Sequence, residues 1–410
     1  MAYSGIPIIG FSSTSNINAA DLIPEIDSRV LYSDNDGNPI MSFFSNPETG
    51  QLVKTDQTTF QWYEDKLDYQ NATLLTGVAV VAAGITQVVT IDMSDVAIGQ
   101  FYHHASSGQT FQVVAIGTVV PHVSAEVTIK QVPYSAATTV IAAGQPLNSQ
   151  GVFMVEGGYY PPPRGMQPTP FSNIVGLRGY SIGITNTQLG SPTWYGNPYE
   201  HSEFAGLSKV KYDSERMYIF GKRVEEANVA QDNGSGSGSW TGTLRMSLGL
   251  YHRVTTNVDL YGGALTEATL DNWLNTAVWS GIDQGSRSKL GLYGPDAMTD
   301  INSFAKNRYR KIEDMSAARD MYGMDIQCYY FNGGRKLYLV EEREFTVGDL
   351  RHTIFAVDPK HIFIRHKRPD YIEVRPDAQP NNADRIQTSF VMEDGLQVGL
   401  EMHHARLGWI

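Results

Sequence analysis

Apolar and polar positions change rhythm several times along the chain, and each change marks an element. Up to about Thr55 the sequence is rich in Ser, Asn, Asp and Pro, with turn signals at 34–37 and 46–50 and few periodic apolar positions. Such a segment buries little of itself, so it is expected to lie along a neighbouring surface as an arm. After Phe60, Trp62 and Leu67 come short β-rich runs at 77–82, 87–93, 110–116 and 125–132, separated by Gly, Ser and Pro clusters. Their spacing predicts a small all-β unit inserted over 71–150.

Beyond it, Pro161, Pro162, Pro163, Pro168 and Pro170 exclude helix and central strand, because proline fixes φ and lacks the amide donor. The stretch predicts a projecting extended loop, and the alternation over 174–187 predicts the strand that returns from it. Asn197 and Pro198 open a long helix through Lys222, with Phe204, Leu207, Val210, Met217 and Phe220 near helical spacing. Lys209 with Asp213 and Lys211 with Glu215 read as i,i+4 pairs on its polar face, and Gly221 marks its end. The run DNGSGSGS at 232–239 reads as a flexible connector leading to a second, mixed α+β unit.

In that unit Thr266 caps a helix carrying Leu270, Trp273, Leu274, Ala277 and Val278, closed by Gly281, and a second helix starts at Pro295 with Met298, Ile301 and Phe304. A strand at 290–293 lies between them. A hairpin is predicted from 325–331 and 336–340 around Asn332, Gly333 and Gly334, followed by strands at 353–357 and 361–365.

At 410 residues the chain exceeds the roughly 250–300 at which one core stops growing, so more than one packed unit is expected. Its 41% hydrophobic and 18% charged content excludes wholesale disorder. The 39 glycines and 22 tyrosines, with abundant Thr and Val, favour many strands and few helices. A net charge of -12 argues against a nucleic-acid grip built on clustered Lys and Arg. With one cysteine, Cys328, no intrachain disulfide or thiolate-rich metal site can form, and a buried strand position suits it. The first residues carry no basic n-region and no stretch reaches about 18 apolar residues. The expectation is a chain without signal peptide or membrane span, made and used in a cytoplasm.

The strong enzyme signatures are missing: no Walker loop, G-x-G-x-x-G after a strand, H-E-x-x-H or C-x-x-C. The adjacent pairs His103/His104 and His403/His404 read as surface or interface histidines, because neighbouring strand residues point to opposite faces and rarely share an ion. Glu64 and Asp65 read as helix-start acids in preference to a catalytic pair. The methionines at 315–324 suit packing, and Arg308, Arg310 and Lys311 suit an exposed helix end.

The order of elements says more than any motif: an arm, then Glu156, Gly157 and Gly158 leading into the Pro-rich loop, a return strand containing IGITNT, a long helix, and a Gly-rich turn. This order resembles that of tailed-bacteriophage major capsid (major head) proteins with the HK97 fold, as do the segments TTFQWYEDKL at 58–67 and EMHHARLGWI at 401–410. The resemblance implies an α+β, HK97-like fold with N-terminal arm (1–70), β-rich insertion (71–150) and extended loop with return strand (151–190). The spine helix and first part of a peripheral domain would occupy 191–253, an axial domain 254–341, and the return to the peripheral domain 342–410.

It implies further a subunit that partners itself in hexamers and pentamers of an icosahedral head enclosing double-stranded DNA, which it would not bind by sequence. Scaffolding, portal and decoration proteins are candidate further partners; no membrane, cofactor, metal or catalytic residue is implied. Candidate inter-subunit contacts are Trp62, Glu156, Gly157, Tyr159, Tyr160, Arg164 and Phe171. Two other readings stay open from the residues alone: an encapsulin-like nanocompartment shell, and a β-rich carbohydrate-active enzyme or binding module, which would need paired carboxylates in an aromatic cleft.

Overall fold

The computed structural model describes residues 38–45, 51–65, 71–79, 85–93, 96–120, 123–132, 140–154, 156–157, 168–191, 197–232, 239–279, 285–307, 313–314, 326–331, 333–378 and 384–409. The fold is mixed α+β and strand-rich, in two compact units: 62–171, and 1–61 with 172–410.

The unit at 62–171 is built on a six-stranded antiparallel sheet in the order Asn71–Thr73, Pro146–Val152, Gln100–His104, Gln109–Val120, Ser124–Gln131, Thr86–Ile91. Strand Ser124–Gln131 alternates between half-buried and buried positions, which places Ala125, Val127 and Ile129 on the core face. They pack with Leu74, Val89, Ile91, Tyr102, Phe111 and Leu147. The expected run at 77–82 contributes an isolated bridge, Val78 with Ile141, and its residues 80–82 lie outside the described residues.

Among the described residues, the larger unit holds a five-stranded and a seven-stranded sheet beside a two-stranded hairpin. In one, the long strand Arg385–Val398 pairs with Gly176–Thr185, Ile362–His366 and Glu373–Ala378, and Leu52–Lys54 adds in parallel to Ile362–His366. The other is a seven-stranded mixed sheet in the order Val258–Tyr261, Ala405–Trp409, Ile354–Val357, Ser288–Tyr293, Arg335–Glu341, Ile326–Phe331, Glu313–Asp314. Its central strands Ile354–Val357 and Ser288–Tyr293 are buried on both faces, so IFAV and the LGLY part of the second read as continuous runs rather than alternations. Helix Glu267–Trp273, capped by the Thr266 side chain and continued by one π turn, Leu274–Val278, packs on this sheet with Pro295–Asn307.

Two expectations are corrected here. Residues 38–45 and 51–55 do not await a neighbour: Ile40 and Phe44 are buried in this chain's own core, and Leu52–Lys54 completes a sheet edge. The connector at 232–239 joins the two strands of an antiparallel hairpin, Val224–Asp232 with Ser239–Met246, and 172–410 fall in one compact unit. Residues 1–37 and 233–238 lie outside the described residues.

Candidate functional site

The helix Pro198–Phe220 organises the larger unit. The Asn197 side chain accepts the Tyr199 amide at 3.0 Å, Pro198 sits where no amide is needed, and the Gly221 amide closes the last turn on the Met217 carbonyl at 2.9 Å. Of the expected row, Val210 and Met217 are buried, Leu207 and Phe220 are half-buried and Phe204 is exposed; the small residues Gly206 and Ser214 share the buried face. The reason is close approach: a Cβ on Gly206 would lie 3.0 Å from the Phe390 ring and 3.1 Å from Ile182, both on the sheet below. Small residues let the helix seat on the strands, which apolar spacing alone does not reveal.

The Lys209–Asp213 pair is present at 2.7 Å, but Glu215 is not on the polar face. It is fully buried and accepts the amides of Ile40 at 2.7 Å and Met41 at 2.9 Å, at the start of the short helix Pro39–Phe44. A carboxylate there satisfies two amides that the short helix leaves open. Glu342, also buried, lies against it. Burial, partly offset by the two amide bonds, pushes the Glu215 carboxyl up to about 7. Burial and then the charge of Glu215 drive Glu342 well above the usual carboxylate range. With both Glu215 oxygens taken by amides, burial and the Glu215 charge favour the neutral form of Glu342.

Beneath the same helix, Tyr218 donates to Asp394 at 2.5 Å and meets the Tyr371 hydroxyl at 2.7 Å, while Arg178 pairs with Asp394. Burial holds the Asp394 carboxyl above its ordinary value despite that guanidinium.

The candidate contact residues divide. Trp62 and Phe171 stack with ring centroids 6.3 Å apart, and Trp62 donates from its indole to Glu64 at 2.7 Å. Glu64 ends a strand, Thr59–Glu64, and is therefore not a helix-start acid. Glu156 and Gly157 form an exposed turn in which Gly157 takes φ +74, open to glycine without strain. Pro170 lies in Thr169–Ile174, a strand that among the described residues pairs with Thr59–Glu64 alone, so the missing amide is tolerated. Tyr159, Tyr160 and Arg164 lie outside the described residues, as do Arg308, Arg310, Lys311, Gly281 and 315–324.

The histidines are less peripheral than expected: His104, His403 and His404 are buried. His104 meets Ser107 Oγ at 2.7 Å; His404 accepts the Asp358 amide at 3.1 Å through Nδ1, and burial lowers its pKa to about 3. Cys328 is buried in a strand, as expected.

The sequence matches the family model of the SU10 major capsid protein over residues 10–409. The chain belongs to the SU10 major capsid protein family. It is a phage capsid shell protein, and as such a virion component that associates with its own copies. Similar solved structures include the capsid of Myoviridae phage XM1 (10% identity, 96% of this chain and 99% of that one, TM-score 0.46). Mycobacterium phage Adephagia (9%, 98% and 99%, 0.44) and the SrpI encapsulin complex of Synechococcus elongatus (12%, 59% and 75%, 0.41) are others. No curated protein matches. The family is a structural one.

Proposed function

We propose that this capsid protein acts as an HK97-type subunit, closing hexamers and pentamers into an icosahedral head around packaged double-stranded DNA in the cytoplasm of a bacterial host. The observation that carries the reading is the family match across nearly the entire chain. The spine helix with the sheet around Arg385–Val398 suits a peripheral domain. The seven-stranded sheet suits an axial domain, centred on 254–341 and completed by Ile354–Val357 and Ala405–Trp409, which share its core.

A ring of identical subunits requires unlike patches that meet head to tail. The Glu156–Gly157 turn is exposed, and in the sequence after it Tyr159, Tyr160 and Arg164 offer aromatic and cationic side chains of the kind that dominate interfaces. The acidic balance suits a container from which DNA must slide, without sequence-specific grip. Scaffolding, portal and decoration proteins would be further partners. Removing residues 157–170 is the direct test of the loop's part: the variant is expected to fold yet fail to form complete particles, and normal particles from it would exclude this role.

A further inference from the structure

We propose that Asp358, His361 and His403 form a binding site for a divalent transition-metal ion of the zinc class. One donor atom from each lies within 4.8 Å of the other two. Asp358 and His361 bracket the tight turn Pro359–His361, and His403 ends a second such turn, Glu401–His403. Both turns are held by their own backbones, His361 N–H to Asp358 at 3.2 Å and His403 N–H to Leu400 at 2.8 Å. The second starts from Leu400 in the left-handed region, φ 48. Asp358 is fixed too: its Oδ2 accepts the Ser286 amide at 2.7 Å and its Oδ1 the Lys360 amide at 3.1 Å, each oxygen keeping a further lone pair.

Gly285 packs against the same donors. It takes φ +65, and a Cβ there would come 2.7 Å from Asp358 Oδ2 and 3.0 Å from His403 Nδ1. A side chain at this position would press on two of the three donors, so the cluster tolerates only glycine there. Two imidazoles and one carboxylate are a donor set for zinc and its borderline neighbours, with a fourth position left for water. Hard ions such as magnesium prefer an all-oxygen shell. A tetrahedral ion bonded at about 2.1 Å holds its ligands about 3.4 Å apart, so donors now within 4.8 Å of one another must close by up to about 1.4 Å, a movement that falls mainly to half-buried His361. Lys289, whose Nζ donates to the Val278 and His403 carbonyls at 2.6 Å each, weakens cation binding from behind, and the Asp358 charge opposes it.

A bound ion would staple the turn before Ile362–His366 to the turn before Ala405–Trp409, tying a strand of the five-stranded sheet to one of the seven-stranded sheet. The test is zinc binding by the chelator-treated full chain, read by elemental analysis after gel filtration and by melting temperature with Zn²⁺ or Mg²⁺ added. One zinc per subunit is expected, with a rise of several degrees that Mg²⁺ does not reproduce. H361A and G285A, folded by circular dichroism, are expected to bind at least ten-fold more weakly. No retained zinc, equal protection by Mg²⁺, or unchanged zinc affinity in H361A would overturn the assignment.

Discussion

Glu215, in the C-terminal third of the spine helix, accepts the amide of Ile40 at 2.7 Å and so fastens a segment near the start of the chain to the element that organises its main unit. The Met41 amide reaches its other oxygen. Because acceptor and donors are buried together, losing the carboxylate leaves two amides with neither water nor protein to receive them. Each such orphan costs about 1–3 kcal/mol.

Glu215→Ala is therefore expected to lower the unfolding free energy by about 2–5 kcal/mol, with early proteolytic release of the segment around Ile40. Denaturant titration and limited proteolysis measure both. Glu215→Gln keeps one acceptor and should fall between.

The acid pair also sets a pH dependence. Glu215 titrates at about 7 in the folded chain against an ordinary 4.5, and Glu342 is raised as well. The folded state thus binds more protons than the unfolded one in that window, and stability falls as pH rises through it. Glu344, which pairs with Arg216 at 2.6 Å, adds negative charge nearby and raises both carboxyls. Glu342→Gln supplies an amide donor to Glu215 at every pH. Melting curves between pH 5 and pH 8 should slope downward in the parent and markedly less in this variant; equal slopes would show that the pair does not share a proton.

How the sequence encodes these features varies by element. The spine helix is legible because its signals are local: Asn197 and Pro198 at one end, Gly221 at the other. The hairpin around Gly333 and Gly334 is equally local, both glycines taking the positive φ that the turn requires. Glu215 looked like the partner of Lys211 because i,i+4 spacing is visible in sequence, whereas the amides it binds belong to a distant segment. The strands Gln100–His104 and Pro146–Val152 escape notice for another reason. The first places both of its histidines in a short half-buried strand, and the second, PLNSQGV, buries mainly Leu147 and so lacks alternation. Asp358, His361 and His403 come together only when two turns from different sheet connections meet.

At the end of the spine helix, a Cβ on Gly221 would lie 2.3 Å from the Ser247 carbonyl oxygen and 2.4 Å from that of Met217. Both are backbone atoms that cannot swing aside. Gly221→Ala should cost about 1–3 kcal/mol or more through forced backbone shifts, measured by denaturant titration. The same change at Gly242, where nothing stands within 4 Å, should cost much less.

The central claim is that this chain builds a closed shell from copies of itself, and the most direct measurement is its size and shape after expression of the full chain. Gel filtration and negative-stain microscopy are expected to show capsomers or hollow polyhedra. A monodisperse single subunit that stays compact at every concentration and salt condition, with or without its co-expressed neighbouring genes, would contradict the account.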